Sequence, residues 1–164
     1  MSSIIQDKRP HAVLVLADGT TFFGHGIGEI GSVTAPIVYN TDVMGYQETL
    51  TNIAHSGQIV AFAYPHIGNV GVNNDDNTSD LVQAAGIVIR TETPVVSNFR
   101  ATDSLNAFLK NAGVVGIADI DTRQLGRHLR DYGPMVATIL SSEGELTEEA
   151  LQKAHMATQV IDLS

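Results

Sequence analysis

The segment YPHIGNVGVNNDDNTSD, residues 64–80, sets a tyrosine, a histidine and two glycines before five consecutive amide or carboxylate side chains, Asn73 to Asn77. So many side-chain oxygens raise the possibility of a metal site. A calcium loop, however, alternates its ligands along the chain, turns at a central glycine and closes with a glutamate at the twelfth position, and this run does none of these. A solvated turn, in which Asn and Asp side chains bond nearby backbone groups, accounts for the same composition. His66 has the chemistry of a ligand or a base, but no second histidine lies at a helical metal-binding spacing such as H-x-x-x-H. Nucleophilic catalysis lacks its markers too, since there is no G-x-S-x-G turn. The stretch GHGIGEIG contains G-x-G-x-x-G at Gly26, Gly28 and Gly31. A dinucleotide site needs that pattern to open a helix, whereas SVTAPIVY follows and reads as a strand. The chain has no cysteine, which excludes a thiol nucleophile, a thiolate-bound zinc and an iron–sulfur cluster within it.

The elements that must hold these residues fit one domain of 164 residues with 43% apolar and 16% charged content. A formal net charge of −9 argues against nucleic-acid binding, which requires a basic face. No apolar run reaches membrane-spanning length and the first residues lack a signal-peptide core, so a soluble, cytoplasmic chain with no membrane partner is expected. Ala12 to Ala17 and the segment TTFFGHGIG flank Asp18-Gly19 and predict a hairpin. Further strands are expected at Pro36 to Asn40, Gln58 to Tyr64, Ala84 to Arg90 and Pro94 to Phe99. From Asp103 onward the period changes. Leu105, Phe108, Leu109 and Ala112 form a helical stripe ending at Gly113, followed by the strand VVGIAD. Asp121 and Gln124 have capping-box spacing, Leu125, Leu129 and Tyr132 form the next stripe, and Gly133 ends it. A strand over Pro134 to Leu140 and a helix from about Thr147, with Glu148 and Glu149 in its first turn, complete the order. The fold class is α/β or α+β, with a strand-rich first half and then alternating helices and strands, the helices covering one side of a sheet system.

Two features stand above this background. Arg123, Arg127 and Arg130 recur at helical spacing and hold three of the nine Lys and Arg of an acidic chain. They read either as a solvated face bonded to local carboxylates or as a docking face for an acidic partner. The loops GYQE, YPHIGN and SNFR carry aromatic, amide and arginine residues with no catalytic pairing, a composition suited to recognition.

GYQETLTN at 45–52, QIVAFAYPHIGNVGVN at 58–73, GIVIR at 86–90, SNFR at 97–100 and IADIDTRQL at 117–125 resemble, in order and spacing, the N-terminal domain of the small subunit of glutamine-hydrolysing carbamoyl-phosphate synthetases. The resemblance runs from LVLADGTTFFG to the final IDLS and covers essentially the whole chain. It implies a layered β/β/α domain of the swivelling type, over residues 1–150, with 151–164 beginning a linker to a C-terminal class I glutamine amidotransferase domain. It also implies a division of labour. The second domain hydrolyses glutamine with a Cys, His and Glu triad. Ammonia then passes to a large subunit that uses ATP, magnesium and bicarbonate to make carbamoyl phosphate for arginine and pyrimidine synthesis.

On this resemblance the present domain has no catalytic residue, cofactor or metal of its own. It docks the glutaminase on the large subunit and is inactive alone; a free-standing interaction module of the same fold is the alternative. The interface candidates are Tyr46, Gln47, Glu48, His66, Asn69, Arg100, Arg123, Arg127 and Arg130. Where the family has T-D-P-S-Y, with a serine reaching the bound glutamine, this chain has Thr51 to His55 with Ala54 at the serine position. Ala54 has no hydroxyl, so a backbone group or a water would have to replace that contact.

Overall fold

The computed structural model describes residues 10–41, 56–63, 83–90 and 109–160, with side chains to residue 158. Seven strands follow in order: β1 (His11–Leu16), β2 (Thr21–Gly28), β3 (Gly31–Asn40), β4 (Ile59–Phe62), β5 (Gly86–Val88), β6 (Val115–Ala118) and β7 (Met135–Ser142). Two helices are described over their length, α1 (Thr122–Tyr132) and α2 (Glu148–Val160). Residues 109–112 are also helical.

Local chemistry places the turns. Asp18 accepts the Thr20 amide at 3.0 Å, Gly19 adopts φ +92°, and its amide donates to Leu16 O at 2.9 Å, so the expected Asp-Gly hairpin forms between β1 and β2. Gly26 and Gly28 lie on β2 and Gly31 opens β3, so the glycine pattern builds strands and the turn between them. Strand β3 begins five residues before the expected Pro36, because residues 31–37 pair with β7.

The sheet does not lie open under helices on one side. It closes in the order β1-β2-β6-β5-β4-β3-β7, with β7 returning to β1. Closure removes both sheet edges, which would otherwise leave rows of unpaired backbone groups. Strands β3, β4, β5 and β6 are parallel neighbours, and antiparallel pairing through β2 and β7 completes the circle.

Alternation along the strands then makes an inside and an outside. Ala12, Leu14 and Leu16 of β1 point inward with Ile37, Ile59, Val88, Ile117 and Ile139. Val13 and Val15 point outward beneath Ala154 of α2, with Leu146 and Leu151 beside them. A second outer cluster gathers Ile27, Val60, Ile87 and Ile89 around Leu109. Strands buried on both faces explain why these runs read as continuous apolar stretches rather than alternating ones. Leu109 is fully buried and Gly113 has φ +72°, as the expected helix end requires, but Ala112 is exposed and not part of the buried stripe. The earlier part of that helix and the strand expected at Pro94 to Phe99 lie outside the described residues. Helix α2 starts where expected, with Thr147 Oγ1 accepting the Ala150 amide at 3.1 Å, and it runs across residue 150 with Ala154 and Thr158 buried.

Candidate docking surface

Strand direction decides what the barrel presents at each end. Because β3 to β6 run the same way, the connections that follow them all leave from one end: residues after Asn40, after Phe62, after Val88 and after Ala118. Tyr46, Gln47, Glu48 and Ala54 follow β3, His66 and Asn69 follow β4, Arg100 follows β5, and Arg123, Arg127 and Arg130 follow β6. The first seven of these lie outside the described residues. In α/β sheets the carboxyl ends of parallel strands are the usual place for binding sites, because the loops there vary while the strands stay fixed.

Helix α1 sits at this end and follows β6 after three residues. The Asp121 carboxylate accepts the Gln124 amide at 3.1 Å, and Gly133, with φ +85°, donates its amide to Leu129 O at 2.9 Å. These are the two ends that the capping pattern predicted. Leu125 is completely buried in the barrel interior beside Ile120, and Leu129 packs against the same cluster, so the helix plugs the barrel. Tyr132 departs from the expected stripe. It is 71% exposed, and its ring lies against His128, with centroids 4.6 Å apart. The helix has turned away from the barrel by its last turn, so a residue one turn beyond Leu129 no longer reaches the apolar interior.

The opposite face of α1 carries Arg123, Arg127 and Arg130, all exposed. Arg130 lies 3.9 Å from Asp131, and both groups are well solvated, so this pair contributes little. Among the described residues neither Arg123 nor Arg127 makes an ion pair. Beneath the helix, Gly126 leaves room for the ring of Tyr39, since a Cβ there would meet the end of that ring. Burial raises the Tyr39 phenol above its ordinary pKa, with Arg123 opposing and Asp121 adding to the effect.

A contact invisible in the linear pattern locks α1 down. His128 Nε2 donates to Asp18 Oδ2 at 2.6 Å, with Thr20 Oγ1 at 3.4 Å from the same nitrogen. Burial raises the Asp18 carboxyl, but the Thr20 amide and His128 outweigh it and hold the group below its ordinary value. The Asp-Gly turn was legible, yet nothing in the sequence joined it to a histidine 110 positions away. A second such pair is His25 Nδ1 with Asp119 Oδ2 at 2.7 Å. Among the described residues no three His, Asp or Glu side chains are grouped to hold a metal ion, and no helix is long and apolar enough to cross a membrane.

The chain is a strand-rich α/β barrel domain with a basic helix face at one end. Comparison with known proteins says to which family it belongs. Residues 14–139 match the family described as carbamoyl-phosphate synthase small chain, CPSase domain. The chain is 50% identical over 144 residues to the carbamoyl phosphate synthase small chain of Polynucleobacter asymbioticus, covering 88% of this chain and 36% of that one. It is 48% identical over 143 residues to the small chains of Salmonella typhimurium and Escherichia coli K12, covering 87% of this chain and 37% of each. The chain belongs to the carbamoyl-phosphate synthase small chain family and corresponds to its N-terminal part. It spans little more than a third of the length of these curated relatives. Among solved structures, the aminopeptidase from Aneurinibacillus sp. strain AM-1 aligns over 82% of this chain and 31% of its own, at a TM-score of 0.42 and 16% identity, too distant to carry an argument.

Proposed function

We propose that this chain is the non-catalytic domain through which a carbamoyl-phosphate synthase small chain docks on the large synthetase subunit. A layered swivelling-type arrangement and an adjoining class I glutaminase domain belong to the same reading. Ammonia released from glutamine passes to the large subunit, which supplies the ATP, magnesium and bicarbonate chemistry; this domain holds no cofactor and is inactive alone. The observation that carries the proposal is the shared direction of β3 to β6. It starts the connections that follow these strands at one barrel end, beside a helix face with two arginines unpaired among the described residues. Arginines that lack local carboxylates can meet acidic groups on a partner without first breaking an internal pair.

Calorimetric titration of the chain into the matching large subunit tests this, with Arg123→Glu and Arg127→Glu in parallel. Both side chains are exposed, so the reversals leave the fold intact. Saturable binding that weakens about tenfold or more, equivalent to about 1.4 kcal/mol, places the docking face on α1. Binding indifferent to both reversals moves the face to the connections after β3, β4 and β5. Absence of binding means that this domain does not dock alone: either docking needs the adjoining glutaminase domain, or a free-standing interaction module is the better reading.

A further inference from the structure

The outer wall of the barrel carries a histidine pair that the docking role does not use. His11 and His25 are directly opposed across β1 and β2, with ring centroids 6.3 Å apart and planes tilted by 34°. The Gly26 amide donates to Pro10 O at 2.7 Å, which makes the 10–26 pair hydrogen-bonded and the neighbouring 11–25 pair non-hydrogen-bonded. In an antiparallel ladder it is the non-hydrogen-bonded pair whose side chains stand closest. Both rings point outward, because the inward positions on either side of them are Ala12 and Gly26, while Val13 lies on the outer face with His11.

The third member is Asp119, whose Oδ2 lies 2.7 Å from His25 Nδ1. A carboxylate can only accept, so this bond puts a proton on Nδ1, which in a neutral imidazole leaves the lone pair on Nε2. Asp119 is the one described residue other than glycine with positive φ, at +66°. Left-handed backbone is costly for most residues and tolerated best by Asn and Asp. Here it turns the residue after β6 out of strand alternation and toward His25. Such a carboxylate–imidazole bond is what orients and enriches histidines that ligate metals.

We propose that His11 and His25 form a two-histidine site for a divalent transition metal ion, with Asp119 as the outer partner that orients His25. Two imidazoles sharing a tetrahedral ion at roughly 2.0–2.1 Å per nitrogen stand about 5 Å apart by ring centroid, so the pair must close by about 1 Å. His11 is exposed at the start of its strand and can rotate to do so. A metal ion competes for Nε2 with whatever contacts that atom in the metal-free chain, just as it competes with protons. With two protein ligands and water completing the shell, affinity in about the micromolar range is expected, favouring Cu²⁺, Ni²⁺ and Zn²⁺ over Mn²⁺. Bound metal joins β1 to β2 and, through Asp119, engages the β2–β6 seam.

The test is calorimetric titration of Ni²⁺ and Zn²⁺ into the metal-free chain at about pH 7.5, where an ordinary imidazole is neutral. Thermal melts with metal and with chelator accompany it. One saturable ion is expected to depend on the pair, with the melting temperature raised by about 5–10 °C at a hundredfold excess over Kd. His11→Ala and His25→Ala should each abolish that ion, Asp119→Asn should weaken it about tenfold, and His155→Ala on α2 should leave it unchanged. His11 is exposed, so His11→Ala decides the matter even if a His25 variant folds poorly. Metal binding that survives His11→Ala, or no saturable binding below about millimolar metal, overturns the proposal.

Discussion

Replacing Leu125 by alanine asks whether α1 plugs the barrel or merely lies against it. Leu125 exposes none of its surface and sits within the interior cluster beside Ile120. At about 0.8 kcal/mol for each lost side-chain carbon, the transfer loss alone is roughly 2.4 kcal/mol. A closed barrel cannot collapse fully around the vacated space, so a cavity contribution adds to this, and a total of about 3–4 kcal/mol is expected. Alanine's slightly better helix propensity recovers only a few tenths of that. Tyr132→Ala on the same helix provides the contrast. Its side chain is 71% exposed and its ring contact is with His128, so a loss of about 1 kcal/mol or less is expected. Urea unfolding of the chain and both variants, with midpoint and slope fitted separately, measures the difference. Equal losses at the two positions, or a Leu125→Ala loss below about 1 kcal/mol, would refute the plug.

Gly24→Ala should destabilise the chain by about 1–3 kcal/mol or more, because a Cβ there would run into the backbone oxygen of Ala118 and push β2 from β6 at the seam that closes the barrel; an unchanged thermal midpoint would contradict that closure. Asp18 supplies the pH dependence. Its folded pKa lies below its unfolded value of about 3.9, so its contribution is present above that value and disappears as pH falls through the lower folded pKa. The stability difference between the chain and Asp18→Asn, followed by urea unfolding, should therefore narrow progressively below about pH 4, and a difference independent of pH there would mean that the His128 and Thr20 contacts do not hold the carboxylate.

Much of the local structure was legible because it is governed by residues a few positions apart. The Asp18-Gly19 turn, the Asp121 and Gly133 ends of α1 and the Thr147 start of α2 each rest on a side chain or a glycine meeting backbone within about one turn. The segments naming the family were equally plain, since they are read directly from residue order. Contacts between distant parts of the chain were not legible. Helical spacing put Tyr132 in the same stripe as Leu125, but only the position of the barrel shows where the helix leaves it. Closure depended on β7 pairing with both β1 and β3, which no periodicity records. The register of β1 on β2 set His11 against His25, and the backbone turn at Asp119 brought a carboxylate from 94 positions away. The amino-acid sequence by itself determined the family, the turns and the helix ends, because those follow from local chemistry and residue identity. Only the tertiary structure decided that the sheet closes, that β3 to β6 point their carboxyl ends the same way and that α1 plugs that end, because strand direction and register arise from pairing between residues far apart in the chain.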